Sequence, residues 1–258
     1  MLPIVSRFHP LPDFLILGTQ KGGTTSLYRW LAEHPDFRAA RTKEVHYFDN
    51  RFDRGAGWYR AHFPPFWRRG RGTITGEATP SYLFAPLVPE RVAATLPRAR
   101  FVVLLRDPVK RAYSHYHHNV RMDREPRSFA EAVAEEVRAL DAGPPADGEE
   151  PARFRRSAYV ERGLYDRQLE RWERSVGRDR MHVEFSERLF ARPAEVLTEI
   201  AEFLDLRPHA WERTETRRAH NRYPYDPLDP AVAADLAAWY RPHDERLAAR
   251  LGRALPWR

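Results

Sequence analysis

A short apolar run followed directly by a glycine-rich turn is the feature that most constrains the fold of this chain. Phe14 to Leu17 are all large and apolar, and residues 18–26 then read Gly-Thr-Gln-Lys-Gly-Gly-Thr-Thr-Ser. A run this short is typical of a strand buried on both faces of a parallel sheet. Ser26 to Leu31 have helical apolar spacing, so we expect a helix ending near His34. The pattern predicts a strand, a tight loop and a helix.

A second strand and helix are expected to begin at Arg100. Phe101 to Leu105 form the next apolar run, and Arg106 follows them. Asp107 and Pro108 are residue types preferred at the N-cap and the first position of a helix. The repeated alternation predicts an α/β protein with a P-loop-like, three-layer fold, in which helices flank a central parallel sheet.

The rest of the chain continues this alternation. We expect strands at Thr73–Glu77 and Met181–Phe185, and helices at Pro89–Leu96, Tyr165–Val176, Pro193–Leu204 and Ala231–Leu251. Residues 141–151 are rich in proline, glycine and acids, which predicts a surface loop, and we expect another loop at 213–222. A length of 258 residues predicts one domain over 1–258.

The composition limits the cellular locations and the kinds of site that are expected for this protein. The apolar runs are far shorter than the roughly 20 residues that span a bilayer, so we expect no stable membrane insertion. Residues 1–13 lack the long apolar region of a secretory signal, and we expect a cytoplasmic protein. With no cysteine in the chain, a disulfide framework, thiolate metal sites and cysteine nucleophiles are excluded.

The basic charge of the chain indicates an anionic partner. The net charge is +7, which fits a nucleotide, a sulfated or phosphorylated acceptor, or nucleic acid. Lysine occurs only at Lys21, Lys43 and Lys110, against 43 basic residues in total. An ammonium group is a compact point charge, suited to charge developing on one oxygen. Chemistry that requires lysine is therefore expected at these positions, unless their placement is chance.

The glycine-rich loop has the composition of an anion site. Backbone N–H groups of such a turn and of the following helix N-terminus face a common concavity. The residues that would form it are Lys21, Gly22, Gly23, Thr24, Thr25 and Ser26. A kinase-type Walker sequence has its lysine after the glycines, whereas Lys21 precedes them. The order disfavours an ATPase.

Taken together, the motifs resemble those of PAPS-dependent sulfotransferases, where PAPS is 3′-phosphoadenosine 5′-phosphosulfate. The similarity is strongest to the branch of heparan sulfate glucosaminyl sulfotransferases and their bacterial relatives, and it covers most of the chain. The matching segments, in order, are Lys21 to Thr25, Lys43 to Asp49, Gly76 to Tyr82, Leu105 to Pro108 with Arg111 and Ser114, and Arg162 to Tyr165.

The resemblance implies PAPS as co-substrate and 3′-phosphoadenosine 5′-phosphate (PAP) as product. The glycine-rich loop would hold the 5′-phosphosulfate, and Arg106 with Ser114 would hold the 3′-phosphate. Ser114 lies about two helical turns into the expected helix, so both side chains can converge on one phosphate. A late basic loop closes the site in the family. Candidates for it here are Arg218 and Arg222, with Arg217 and Asn221 beside them.

The resemblance also implies catalytic roles. Glu44 would be the base that takes the acceptor proton, and Lys21 would stabilise the leaving PAP. In an extended segment Glu44 and His46 would share a face, so His46 either tunes Glu44 or is itself the base. We expect Lys43, His46, Thr79 and Tyr82 to bind substrate. The scheme needs no metal, and His115, His117 and His118 do not share one helix face.

The acceptor is less constrained. Ala78 stands where glycosaminoglycan-modifying members typically carry lysine, and their C-terminal cysteine pair is missing, which argues against a heparan-like polyanion. Arginine- and alanine-rich usage typical of GC-rich bacterial genes favours a hydroxyl of a small natural product, glycolipid or saccharide, and no nucleic acid. The residues expected either to line an acceptor cleft or to form core packing or a lid are Trp58, Tyr59, Phe63, Phe66 and Trp67.

Two other functions remain open from the residues alone. A P-loop kinase or ATPase would bind ATP·Mg²⁺ and have no affinity for PAP, but the position of Lys21 disfavours it. A non-enzymatic binder of nucleic acid or another polyanion would follow from the net charge of +7, but that charge explains none of the ordered motifs.

Overall fold

A computed structural model describes residues 8–70, 72–143, 157–211 and 225–258. The described residues group into two compact units. We call those within 1–105 and 168–221 the sheet unit, and those within 106–167 and 222–258 the helical unit. The expectation of a single domain over 1–258 stays a prediction.

The sheet unit is built on five parallel strands. They are Phe14–Gly18 (β1), Phe37–Ala39 (β2), Ile74–Ala78 (β3), Arg100–Leu105 (β4) and Met181–Phe185 (β5), in the spatial order β2-β3-β1-β4-β5. Ile16 of β1 lies opposite Ala78 of β3 and Val102 of β4. Every residue of β1 is buried. The parallel register places the carboxyl ends of β1, β3 and β4 side by side.

Eleven α-helices lie in the described part of the chain. They are Thr24–Leu31 (α1), Tyr47–Asn50 (α2), Gly55–Arg60 (α3), Phe66–Arg69 (α4), Val88–Thr95 (α5), Pro108–Arg121 (α6), Phe129–Asp141 (α7), Tyr165–Val176 (α8), Ser186–Ala191 (α9), Pro193–Phe203 (α10) and Pro230–Leu251 (α11). None of them combines the length and apolar character needed to cross a membrane.

Helices cover both faces of the sheet because successive strand residues point to opposite sides. On one face, α1 and α10 pack over Phe14, Ile16 and Val102 in a single buried cluster. On the other, Trp172 of α8 contacts Phe101 with ring centroids 5.5 Å apart. The expected α/β architecture, a central parallel sheet flanked by helices, is confirmed.

The helical unit has its own buried cluster, to which α6, α7 and α11 contribute. Tyr240 of α11 donates a hydrogen bond to the Val160 carbonyl at 2.7 Å. The buried carboxylate of Glu136 on α7 accepts the backbone N–H groups of Tyr159, Val160 and Glu161 at 2.7–2.9 Å. These contacts fix the chain segment around residue 160 to the surrounding helices.

The predicted elements lie close to the observed ones. β5 and α8 have the predicted bounds, and β1, β3, β4, α5, α10 and α11 differ from theirs by a residue or so. The expected surface loop at 141–151 needs one correction, because Asp141 is the last residue of α7. Residues 144–151 and the expected loop at 213–222 lie outside the described residues.

Candidate active site

The glycine-rich loop joins β1 to α1 and is held tightly against β4. The Thr19 N–H donates to the Leu104 carbonyl at 2.6 Å, and the Gly22 N–H donates to the Thr19 carbonyl at 2.9 Å. A Cβ atom on Gly22 would lie 2.9 Å from that same Leu104 oxygen. Glycine is therefore required at position 22 by the packing of the turn.

The loop passes into α1 at Gly23. Gly23 is the N-cap residue and has φ 93°, a conformation that favours glycine. Its carbonyl accepts the N–H groups of Ser26 and Leu27. The preceding Lys21 also has a positive φ, 68°. The first-turn N–H groups of a helix lack intrahelical acceptors, so Thr24 and Thr25 present donors at this end of the sheet.

Ser186 supports the loop from outside it. Its buried Oγ atom, at the junction of β5 and α9, donates to the Gly22 carbonyl at 2.8 Å. The sequence alone indicates no role for Ser186. Its distance of more than 160 positions from Gly22 in the chain left no local pattern that could have found this contact.

The segment that carries Glu44 and His46 follows β2 in the chain and lies beside the carboxyl end of β3. The Glu44 N–H donates to the Ala78 carbonyl at 3.2 Å. The expectation of an extended segment is wrong, because Glu44 has φ 63° and His46 has φ 56°. Two left-handed residues turn the chain so that the side chains still meet, with His46 Nε2 3.5 Å from Glu44 Oε2.

Four charged side chains, those of Lys43, Glu44, His46 and Asp49, contact one another in series. Lys43 Nζ lies 2.6 Å from Glu44 Oε1, and His46 Nδ1 lies 2.9 Å from Asp49 Oδ2. Ser81 Oγ donates to the same Asp49 oxygen at 2.6 Å. The imidazole of His46 therefore bridges two carboxylates.

The contacts among these four side chains favour the charged forms of Glu44 and His46. Hydrogen bonds to Asp49, and then to Glu44, raise the pKa of His46 to about 9, against the burial that would lower it. Burial raises the pKa of Glu44, but the hydrogen bonds and charges of His46 and Lys43 outweigh it and lower that pKa to about 2. At neutral pH, Glu44 is ionised and His46 is protonated.

A buried carboxylate lies beneath this segment. Glu77 of β3 is 0% exposed and accepts hydrogen bonds from Tyr59 Oη at 2.8 Å, Thr79 Oγ1 at 2.6 Å and Tyr82 Oη at 3.1 Å. Burial raises the pKa of Glu77, and the hydrogen bonds from Thr79 and Tyr59 oppose the change. Glu77 is a structural centre that the sequence analysis missed.

The expected substrate-binding roles of Thr79 and Tyr82 stay predictions. Both side chains are fully buried. Tyr82 Oη accepts the Tyr47 N–H at 2.8 Å while it donates to Glu77. Tyr82 thus supports the start of α2, next to His46, through a hydrogen bond from the buried side. Lys43 and His46, by contrast, are partly exposed.

The five aromatic residues considered for an acceptor cleft divide into two groups. Tyr59 and Phe63 are fully buried core residues. Trp58 is half-buried, with the guanidinium carbons of Arg51 and Arg54 at 5.5 and 5.8 Å from its ring centroid. Phe66 and Trp67, both in α4, are exposed.

The expected 3′-phosphate residues belong to the helical unit. Arg106 is half-buried, and its carbonyl accepts Tyr165 Oη at 2.9 Å. Asp107 caps α6 as predicted, since its side chain accepts the N–H groups of Val109 and Lys110. Ser114 is half-buried on α6.

The late basic loop, with Arg218 and Arg222, lies outside the described residues. Its role stays a prediction.

A group with metal-ligand residue types lies on β5 and α10. His182, Glu184 and Glu199 each have one potential ligand atom within 4.8 Å of the others. Arg188 already pairs with both carboxylates, at 2.5 Å from Glu184 Oε2 and 2.5 Å from Glu199 Oε1. These ion pairs form a structural network around Arg188. The expectation that the site uses no metal stays a prediction.

Asp49 and Ser81 are two further site residues for which the sequence alone indicates no role. Asp49 follows His46 by three positions, which is the spacing of neighbours on a helix. That signal was present, and it becomes informative once α2 is known to begin beside His46.

The comparisons with known proteins agree with this geometry. A model of the sulfotransferase domain matches residues 11–223. The membrane-associated sulfotransferase kil1 of Dictyostelium discoideum is 23% identical over 99% of this chain and 68% of its own length. The human heparan sulfate glucosamine 3-O-sulfotransferase 3B1 is 29% identical over 96% of this chain and 65% of its own length. The chain thus spans about two thirds of these relatives.

Solved structures show the same architecture. The sulfotransferase from Alicyclobacillus acidocaldarius matches with a TM-score of 0.73 and 29% identity, covering 95% of this chain and 97% of that one. The sulfotransferase domain from the Synechococcus PCC 7002 olefin synthase shares the fold, with a TM-score of 0.55 and 18% identity over 96% of this chain and 97% of that one. The chain therefore belongs to the sulfotransferase-domain family.

Proposed function

We propose that this protein transfers the sulfuryl group of PAPS to a hydroxyl group of a small natural product, glycolipid or saccharide and releases PAP. The acceptor oxygen forms a bond to sulfur as the bond between sulfur and the phosphate oxygen breaks. Glu44 takes the hydroxyl proton, and Lys21 stabilises the charge that develops on the departing phosphate.

One observation carries this proposal. The glycine-rich loop leaves the carboxyl end of β1, and Glu44 is hydrogen-bonded to Ala78 at the carboxyl end of β3. These two strands are direct neighbours, with Ile16 opposite Ala78. Open α/β sheets bind ligands at the carboxyl ends of their strands. An anion loop and an ionised carboxylate thus share one edge of the sheet.

The protonation states favour Glu44 over His46 as the base. With a pKa of about 9, His46 carries a proton at neutral pH and has no free nitrogen to accept another. Glu44 is ionised at the same pH. His46 therefore acts as the positioning group, because its two ring nitrogens face Glu44 and Asp49.

The far end of the nucleotide is assigned to Arg106 and Ser114. An arginine offers bidentate hydrogen bonds to a phosphate, and a serine hydroxyl adds one more donor. The capping of α6 by Asp107 fixes the start of the helix that carries Ser114. Arg218 and Arg222 are proposed to complete the nucleotide site.

The acceptor class rests on Ala78. The resemblance implies a lysine at this position in members that modify glycosaminoglycans, and an alanine has no charge to pair with a polyanionic acceptor. Heparan sulfate appears in the names of several relatives. We place this chain outside that substrate class and favour a less charged hydroxyl acceptor.

A labelled-donor screen tests the proposal. The protein is incubated with PAPS carrying radioactive sulfate and with separate glycolipid, saccharide and phenolic acceptors, and heparan sulfate is included for comparison. We expect transfer to a hydroxyl acceptor and stoichiometric release of PAP. Absence of PAP binding by calorimetry would overturn the donor assignment. Transfer confined to heparan sulfate would overturn the acceptor assignment.

A further inference from the structure

An exposed aromatic cluster lies on the sheet unit, apart from the groups assigned to catalysis. Its members are Phe8, Phe66 and Trp67, which are 43%, 55% and 68% exposed. Phe8 and Trp67 contact each other edge to face, with ring centroids 5.9 Å apart. We call these three residues the aromatic patch. Large exposed aromatic side chains gathered at one place are uncommon on a protein that has no partner there.

The patch is fixed to the core of the sheet unit. His9, next to Phe8, has its Nδ1 atom 2.5 Å from the Phe63 carbonyl oxygen. Arg60 Nη1 donates to the His9 carbonyl at 3.0 Å. Phe63 is itself fully buried. The aromatic patch is thus presented on a packed base.

The charge of the surrounding sequence has one sign. Residues 54–76 contain no aspartate or glutamate, and they include Arg54, Arg60, Arg68, Arg69 and Arg71. The next acid, Glu77, is fully buried. Arg68, directly after Trp67, is exposed. Phe66 and Trp67 therefore belong to a stretch of sequence that is basic and has no acidic residue between Asp53 and Glu77.

We propose that the aromatic patch docks this protein peripherally on an anionic lipid surface. Indole and phenyl rings settle at the level of the lipid headgroups, where an apolar body meets a wet interface. Arginines beside them are attracted to the negative surface potential of acidic lipids. The arrangement differs from membrane insertion, since the aromatic patch would lie at the headgroup level and would not span the bilayer. It does not depend on the proposed function.

Vesicle binding tests the proposal. The full chain is sedimented with vesicles of phosphatidylcholine alone and with vesicles that also contain phosphatidylglycerol. We expect binding to the anionic vesicles that weakens with added salt, and much weaker binding to neutral ones. The double variant Phe66→Ser, Trp67→Ser should lose about tenfold or more in vesicle affinity. Arg68→Gln should lose about fivefold, and only on anionic vesicles.

A matched control variant distinguishes docking by the aromatic patch from non-specific hydrophobic binding to vesicles. Leu87 lies elsewhere on the sheet unit and is 58% exposed, so Leu87→Ser should leave vesicle affinity unchanged. PAP affinity and the thermal midpoint should be unchanged in all variants, which shows that the nucleotide site and the fold are intact. Equal binding by the wild type and the Phe66, Trp67 variant would overturn the proposal. So would an equal loss in Leu87→Ser, or binding to a soluble sulfated polysaccharide without binding to anionic vesicles.

Discussion

The Nδ1 atom of His46 lies 2.9 Å from Oδ2 of Asp49. Because the other ring nitrogen faces Glu44, Asp49 acts on the proposed base through the imidazole. Ser81 holds Asp49 in place with a hydrogen bond of 2.6 Å. The reactivity of Glu44 therefore depends on a carboxylate it does not touch.

Replacing Asp49 should lower the pKa of His46. In Asp49→Asn, the largest contribution that raises the His46 pKa is lost, so this pKa should fall from about 9 by about 1 or more. An NMR titration of the His46 ring protons measures it. Ser81→Ala keeps the carboxylate and should give a smaller fall. An unchanged pKa in Asp49→Asn would mean that Asp49 does not act on His46.

The same pair predicts a pH dependence of stability. The pKa of His46 is raised in the folded state from an ordinary value of 6.5 to about 9. Its contribution is therefore fully present below pH 6.5 and is lost as the pH rises through 9. The difference in free energy of unfolding between the wild type and His46→Gln, measured by urea denaturation, should shrink over that interval. A difference that grows with pH would contradict the raised pKa.

Replacing Glu44 tests the proposed base directly. Glu44→Gln retains the shape of the side chain but cannot accept the acceptor proton, so turnover should fall by about 10²-fold or more. PAP affinity, measured by calorimetry, should stay within a few-fold of the wild type. Turnover of the true acceptor at nearly the wild-type rate would remove Glu44 from the mechanism.

The hydrogen bonds to Glu77 should matter for stability. Tyr59→Phe removes a buried donor and leaves a carboxylate oxygen of Glu77 with one partner fewer, at a cost of about 1–3 kcal/mol in the free energy of unfolding. Tyr225 is 41% exposed, and Tyr225→Phe should change it by less than about 0.5 kcal/mol. Urea denaturation gives both values. Equal effects in the two variants would show that Tyr59 is not part of a stabilising network.

Two helix-capping aspartates provide a test of the proposed nucleotide site and a matched control for it. Asp107 caps α6 and Asp229 caps α11, each accepting two backbone N–H groups. Asp107→Ala and Asp229→Ala should each lower the free energy of unfolding by about 1 kcal/mol. Only Asp107→Ala should also weaken PAP binding, because α6 begins next to Arg106 and carries Ser114. Equal PAP affinity in both variants would separate the start of α6 from the nucleotide site.

Much of the framework could be predicted because its signals are local. β1 and β4 are short apolar runs with clear boundaries, and Asp107-Pro108 marks the start of α6. The helix α7 also had a local signal, since Ser128 and Glu131 form a capping box, but the sequence analysis did not use it. β2 has only three residues, too few for a periodic pattern.

The detailed site depended on contacts that no local pattern contains. Glu44 and His46 adopt left-handed conformations although neither is a glycine, so an extended segment was the natural expectation. Thr79 and Tyr82 lie in a recognisable motif, but their burial follows from the hydrogen bonds they make to Glu77. Tertiary packing determines both the backbone conformation of Glu44 and His46 and the burial of Thr79 and Tyr82.

Tyr82 has a further consequence for how the protein can vary. Its hydroxyl joins the Tyr47 N–H to the buried Glu77 carboxylate, so the proposed base is attached to the sheet and not to the surface around it. The exposed and half-buried residues within 51–68 can therefore change their side chains to suit different acceptors, whereas the buried Tyr59 and Phe63 keep this part of the chain packed on the sheet unit. A chemical step anchored in this way can be inherited unchanged by enzymes whose substrates have diverged.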